Sequence, residues 1–193
     1  MVFQYPETQL FEETVYNDIA FGPKNIGLSD IDEKIKKATD LLEIQEEILI
    51  KSPFDISGGE QRRVAIAGVM AMEPEILILD EPTAGLDPAS KNSILNMIKN
   101  YQKQDEERTI VIVSHDINVI AEFANKVLIL DKGSIVKYDR VENVFSDIDS
   151  LNRLNIAIPE VTKIFCELKK RGFGVNTNIY TIQQAKKEIL SLM

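Results

Sequence analysis

A run of four large apolar residues, Ile-Leu-Ile-Leu at positions 76–79, most constrains the fold of this chain. The run is too short to span a membrane and does not alternate with polar residues, so it predicts a strand buried on both faces. Asp80 and Glu81 follow directly. Ligands of open parallel α/β sheets bind at the carboxyl ends of the strands. One carboxylate there can hold Mg²⁺ and a second can orient or deprotonate a water; alternatively, both acids cap the next element.

The composition restricts the classes of protein to consider. With 193 residues, the chain suits one domain, or one domain and a small appendage. Its net charge of −9 argues against a broad nucleic-acid-binding surface and against docking on anionic lipid. A single cysteine, Cys166, excludes an internal disulfide and a cysteine-based zinc site. Because no signal peptide or long apolar stretch is present, we expect a cytosolic protein that serves a membrane only through a partner.

Further apolar patterns predict an alternation of helices and strands. A second buried strand is predicted at 110–113. A third strand is predicted at 127–130, with a turn that makes a hairpin with residues 135–138. Helices are predicted at 7–22, ending in a Gly22-Pro23 turn; from a Ser29–Asp32 capping box to about 44; at 60–72; after an Asp87 N-cap; and at 117–123. Such alternation indicates a largely parallel α/β sheet.

Four segments follow from these patterns. They are residues 1–6, the end of a strand; 7–75, mostly helical; 76–146, the α/β core; and 147–193, a small accessory segment. In the last segment we expect one amphipathic helix that ends near Gly172, and a second behind a capping box of Thr181 and Gln184.

A stretch of Ser-Gly-Gly-Glu-Gln at residues 57–61 precedes a predicted helix. Unpaired N–H groups and the helix dipole favour a phosphate at such a position, and glycine lets a ligand approach the backbone. The alternative is a glycine-rich helix start with Ser57 as the N-cap. His115, the only histidine, follows the second strand and can donate to a terminal phosphate, although a lone histidine is usually structural. Gln4 occupies the corresponding place after the first strand end.

Taken together and in this order, the motifs resemble those of the ATP-binding cassette (ABC) ATPases. The resemblance implies a partial P-loop NTPase sheet with a helical signature subdomain and a small C-terminal helical extension. It also implies site residues: Glu81 and His115 as catalytic residues; Asp80 and Gln4 at Mg²⁺; and Gln4, Ser57, Gly58, Gly59, Gln61 and Asp87 at ATP. The signature departs from the family pattern, because Ile56 precedes Ser57 and Glu60 adds an acid before Gln61.

Residues 3–7 and 13–23 resemble more narrowly the ATPases of energy-coupling factor (ECF) importers of vitamins, cobalt or nickel. This resemblance implies a second ATPase subunit, identical or paralogous, and a C-terminal segment that helps the two to dimerise. It also implies a transmembrane coupling subunit, a substrate-binding membrane subunit and a location on the cytoplasmic face of the membrane. Four acids, Glu7, Glu12, Glu13 and Asp18, would meet basic residues of the coupling subunit; alternatively they form a solvated acidic face.

The family's phosphate loop, G-x-x-x-x-G-K-[ST], is not found in the 193 residues. The nearest string, residues 22–29, has Leu28 where the lysine belongs. The resemblance therefore leads us to expect that an N-terminal portion of about 30 residues or more is missing, and that the chain alone binds little ATP.

The predicted function is an ATP-hydrolysing subunit of an ECF-type importer. The alternatives are the ATPase of another ABC importer and a non-hydrolysing module that completes a partner's ATP site. A cassette protein of DNA repair or translation fits the acidic composition least.

Overall fold

The computed structural model describes residues 1–192, which contain four β-strands and nine α-helices. The strands are β1 Ile76–Asp80, β2 Thr109–Val113, β3 Lys126–Asp131 and β4 Ser134–Arg140. The helices are α1 Val15–Asn25, α2 Ile31–Leu41, α3 Gly58–Met70, α4 Pro88–Lys103, α5 Ile117–Phe123, α6 Val141–Ser146, α7 Ile148–Arg153, α8 Glu160–Lys170 and α9 Ile182–Ser191. Single 3-10 turns occur at Pro6–Gln9, Glu46–Ile48 and Pro53–Asp55. No helix within residues 1–192 is long and apolar enough to cross a membrane.

The chain divides into two compact units, Met1–Val113 and Ser114–Met193. In the first unit, β1 and β2 pair in parallel along their whole length. Val2 forms a parallel bridge with Leu79 at the other edge of β1. The segment boundary predicted after residue 75 falls inside the first unit, and the boundary predicted after residue 146 falls inside the second.

Only one face of β1 is buried among the described residues. Leu77 and Leu79 have no exposed surface, whereas Ile76 is 58% exposed. The prediction of burial on both faces is therefore wrong within residues 1–192. It is also wrong for β2, in which Val111 and Val113 are exposed; within residues 1–192, β2 pairs only with β1.

Helices α1, α2 and α3 pack on one another in the first unit. Two predictions about them are wrong. Gly22 and Pro23 lie inside α1 rather than in a turn, because Pro23 belongs to the buried face that includes Val15 and Ile19. Ser29 forms no capping box, since the N-cap of α2 is Asp30, which makes no side-chain capping bond.

In the second unit, β3 and β4 form the predicted antiparallel hairpin. Its turn contains Lys132 and Gly133, both with positive φ, as the tight twist of a two-residue hairpin turn requires. Helix α6 packs against this hairpin. A separate small core under α8 and α9 centres on Phe165, and the predicted capping box of Thr181 and Gln184 begins α9.

Candidate functional site

Three of the predicted site residues lie at one end of the sheet in the first unit. Asp80 is the last residue of β1 and is half-buried, and Glu81 follows it. The N–H of Asp80 donates to the carbonyl of Val2 at 2.9 Å. Gln4 is exposed and comes two residues after Val2 in the parallel direction. The parallel register therefore brings Gln4, Asp80 and Glu81 to the same edge, where ligands of such sheets bind.

The backbone of Glu81 has a φ of +46°, the left-handed conformation. This conformation costs a non-glycine residue about 1–2 kcal/mol, and such strain is found most often at functional sites. The N–H of Glu81 donates to the carbonyl of Val113 at 2.9 Å, and its carbonyl accepts from the N–H of Ala84 at 3.1 Å. The first bond continues the pairing of β1 with β2, and the second closes the turn that leads toward Asp87.

Asp87 acts as the N-cap of α4, as the sequence predicts. One of its carboxylate oxygens accepts from the N–H groups of Ala89 at 2.9 Å and Ser90 at 3.1 Å. Hydrogen bonds from the side chain and backbone of Ser90 hold the pKa of Asp87 below its ordinary value. The carboxylate is therefore an exposed anion at the start of a 16-residue helix.

The serine–glycine stretch forms the N-terminus of α3, two residues earlier than predicted. Ser57 is its N-cap in a complete capping box with Glu60. The N–H and the hydroxyl of Ser57 donate to one carboxylate oxygen of Glu60 at 2.8 and 2.6 Å. These hydrogen bonds, that of the Ser57 side chain foremost, lower the pKa of Glu60. The structural alternative for Ser57, an N-cap at a glycine-rich helix start, is thus realised; Ser57 is exposed and Glu60 is half-buried.

Gly58 and Gly59 are exposed, and packing among the described residues does not require glycine at either position. A Cβ atom added to either would meet no heavy atom within 4 Å, and neither residue has a positive φ. The close approach of something outside the described residues would explain them. In contrast, the Gln61 side chain is turned inward and donates to the carbonyl of Pro53 at 2.9 Å.

His115 is exposed and belongs to the second unit. It immediately precedes Asp116, whose carboxylate caps α5 by accepting from the N–H groups of Asn118 and Val119. These contacts do not test the contact with a terminal phosphate predicted for His115, which stays a prediction.

The donor set at the end of β1 suits Mg²⁺ bound together with phosphate. Among residues 1–192, no cluster of three or more acidic, histidine or cysteine side chains could hold a metal by itself. Mg²⁺ needs no such cluster, because it is commonly held by one or two carboxylates, with substrate phosphates and water as the other ligands. Asp80 can supply that carboxylate.

The sequence did not single out Arg62, which the structure places at the centre of the first unit. Only 3% of its surface is exposed. Its guanidinium donates to both carboxylate oxygens of Glu7, from Nε at 3.1 Å and from one terminal nitrogen at 2.9 Å. The other terminal nitrogen donates to the carbonyl of Ala84 at 2.7 Å. Glu7 lies 55 residues away in the chain, so no local pattern could have revealed this pair.

Comparisons with known proteins agree with the motif order. Residues 1–84 match the family described as ABC transporter. The chain is 50% identical over 195 residues to "Energy-coupling factor transporter ATP-binding protein EcfA2" of Clostridium tetani, a match that covers 100% of this chain and 67% of that protein. A protein of the same name from Clostridium perfringens is 45% identical, with coverage of 100% and 68%.

A solved structure gives a similar result. The structure described as cbiO1 from Clostridium perfringens, part of the ABC transporter complex cbiONQ, superposes with a TM-score of 0.67 at 34% identity. The match covers 84% of this chain and 65% of that one. The chain thus spans about two thirds of the length of the proteins it matches.

Proposed function

Because this chain belongs to the ATP-binding cassette family, among the ATP-binding proteins of energy-coupling factor transporters, we propose that it binds and hydrolyses ATP to energise an importer of vitamins or transition-metal ions. The observation that carries the proposal is the edge of the sheet at which β1 ends in Asp80 and Glu81 beside Gln4. In this proposal Asp80 and Gln4 bind Mg²⁺, Glu81 is the general base and His115 contacts the terminal phosphate.

A second ATPase subunit would share the nucleotide with this chain. The exposed N-terminus of α3 supports this role for Ser57, Gly58 and Gly59, because packing among residues 1–192 does not require glycine at either glycine position. We assign Gln61 a smaller share of the contact, since its amide already bonds to Pro53. Asp87, exposed beside Gly85, would contact the sister subunit.

A transmembrane coupling subunit is the second proposed partner, bound at the start of α1 on the cytoplasmic face of the membrane. Phe11 and Phe21 are both exposed and pack edge-to-face with ring centroids 4.8 Å apart. Glu12 and Glu13 directly follow Phe11 in the sequence and would meet basic groups of the partner. Asp18 has a structural task, since it accepts from the backbone N–H groups of Phe11 and Glu12.

Glu7, like Asp18, has a structural role within this chain. Glu7 pairs with Arg62 and is not available to a partner. Burial raises the pKa of Asp18 more than its two backbone hydrogen bonds lower it. The acidic docking surface that we propose therefore consists of Glu12 and Glu13 alone. Reversing the charge of both should weaken co-purification with the coupling subunit, and unchanged co-purification would contradict the assignment.

The main test is the Glu81→Gln variant in the ATPase dimer that contains this chain. Loss of a general base typically lowers turnover by about 10²–10⁴-fold, and we expect this loss with Mg²⁺–ATP binding retained. Glu75→Gln is the matched control, because it makes the same change in charge just before the other end of β1. Turnover of Glu81→Gln equal to that of the control would refute the role of Glu81.

A second measurement separates the enzyme from a module that only completes a partner's site. Titration of the isolated chain with Mg²⁺–ATP should show weak binding, and addition of a partner subunit should create a tight shared site. Turnover of that shared site that depends on Glu81 supports the enzyme. Turnover that needs Ser57 but not Glu81 supports the module instead.

A further inference from the structure

Arg62 connects three segments of the first unit that are far apart in the sequence. Arg62 itself directly follows the serine–glycine stretch in α3. Glu7 lies in the 3-10 turn three residues after Gln4. Ala84 lies in the turn between Glu81 and Asp87. Through three hydrogen bonds of 2.7–3.1 Å, one guanidinium thus holds all three segments in a single arrangement.

The Arg62 and Glu7 side chains are largely removed from water, so the loss of these hydrogen bonds would be costly. The Arg62 side chain is 4% exposed and that of Glu7 23% exposed. Transfer of a guanidinium out of water is costly, and the cost is offset only when hydrogen bonds and an opposite charge satisfy the group. Partial burial raises the pKa of Glu7, but the hydrogen bond and the charge of Arg62 outweigh it and lower that pKa overall. Both side chains of the pair are therefore charged, and their hydrogen bonds fix the direction of the guanidinium.

The bond to Ala84 bears on the chemistry because the turn is short and strained. Glu81 has a positive φ, and the carbonyl of Glu81 accepts from the N–H of Ala84. A displacement of Ala84 therefore changes the direction of the peptide that carries the Glu81 side chain. In enzymes, misplacement of a reacting group by about 1 Å can lower the rate about 10²-fold.

We propose that Arg62 is a positioning residue that sets the orientation of Glu81 by holding the carbonyl of Ala84, and that Glu7 fixes the guanidinium for this task. This proposal rests on the proposed ATPase function. It assigns Arg62 no contact with nucleotide, so the loss of its bonds should lower kcat and leave the KM for ATP unchanged.

The test compares Arg62→Lys, Glu7→Gln and the double variant in the assembled ATPase dimer, with Arg63→Lys as the matched control. Lysine keeps the charge but lacks the planar fork that binds a carboxylate and a carbonyl at once. For Arg62→Lys we expect a kcat about 10- to 100-fold lower, at a KM within about twofold of wild type. Arg63→Lys, on the next residue of α3, should keep the wild-type kcat.

The double variant separates positioning from general destabilisation. If Glu7 acts only through Arg62, the kcat of the double variant equals that of Arg62→Lys; a multiplicative loss overturns the proposal. Equal kcat for Arg62→Lys and wild type also overturns it. Should Arg62→Lys fail to fold, Glu7→Gln carries the test, because it keeps Arg62 but removes the charge that fixes its guanidinium toward Ala84: a kcat reduced about threefold at constant KM supports positioning, and a wild-type kcat overturns it.

Failure of this proposal is distinguishable from failure of the proposed function. If Glu81→Gln abolishes turnover while Arg62→Lys retains it, only the positioning role is refuted. If Glu81→Gln has no effect on turnover, the proposed role of Glu81 as general base is refuted, and the positioning role of Arg62 falls with it.

Discussion

The one-sided burial of β1 can be tested by truncating two adjacent side chains, Leu77 and Ile76. Leu77→Ala removes three carbon atoms from a side chain with no exposed surface. At about 0.8 kcal/mol for each buried carbon, the transfer term is about 2.4 kcal/mol, and a residual cavity adds to it. We therefore expect Leu77→Ala to lower the free energy of unfolding of the first unit by about 3–4 kcal/mol.

Ile76→Ala makes a similar chemical change on the opposite face, where the side chain is 58% exposed. Because more than half of that surface already contacts water, we expect a loss of about 1 kcal/mol or less. Urea denaturation followed by circular dichroism measures both losses. With a slope of about 1–3 kcal/mol per molar urea, Leu77→Ala should move the midpoint by about 2 M and Ile76→Ala by a few tenths. Equal shifts would refute one-sided burial of β1, the strand that positions Asp80.

Three further predictions concern stability. Gly133→Ala should destabilise the second unit by about 1–2 kcal/mol, because alanine is strained at a φ of +79°, whereas Gly174→Ala, which has open space and no positive φ, should be neutral by the same urea assay. Thr181→Ala should remove the cap of α9 at a cost of about 1 kcal/mol. Loss of helicity at the same temperature as in wild type would contradict that role. Since the folded-state pKa of Glu7 lies below its ordinary value of 4.5, its contribution is complete above that value and is lost as the pH falls through the folded pKa. Wild type should therefore lose more stability than Glu7→Gln between about pH 5 and about pH 3, and parallel losses would show that the pair with Arg62 contributes nothing.

Local signals predicted several element boundaries correctly. Asp87 and Thr181 cap α4 and α9 as expected, because an N-cap bonds to N–H groups only two or three residues away. The same reasoning failed at Ser29, where the chain begins α2 one residue later, at the left-handed Asp30. Nothing in the local sequence distinguishes these two polar residues as caps.

The turn predicted at Gly22 and Pro23 shows how packing overrides a local signal. Gly-Pro is normally a turn dipeptide, yet both residues continue α1 to Asn25. Proline lacks an N–H and gives up one hydrogen bond near the end of the helix. Burial of Pro23 on the same face as Val15 and Ile19 offsets that loss.

The sequence by itself determined the family, the position of β1 and the acids that follow it, because these are contained in contiguous motifs and in the apolar run at 76–79. It also indicated the glycine-rich N-terminus of α3. Only the tertiary structure decided that Glu7 serves Arg62 rather than a partner, and that Arg62 holds the carbonyl of Ala84. The physical reason is distance along the chain: these contacts join residues 22 and 55 positions apart. Such contacts depend on how helices pack, and no local periodicity specifies them.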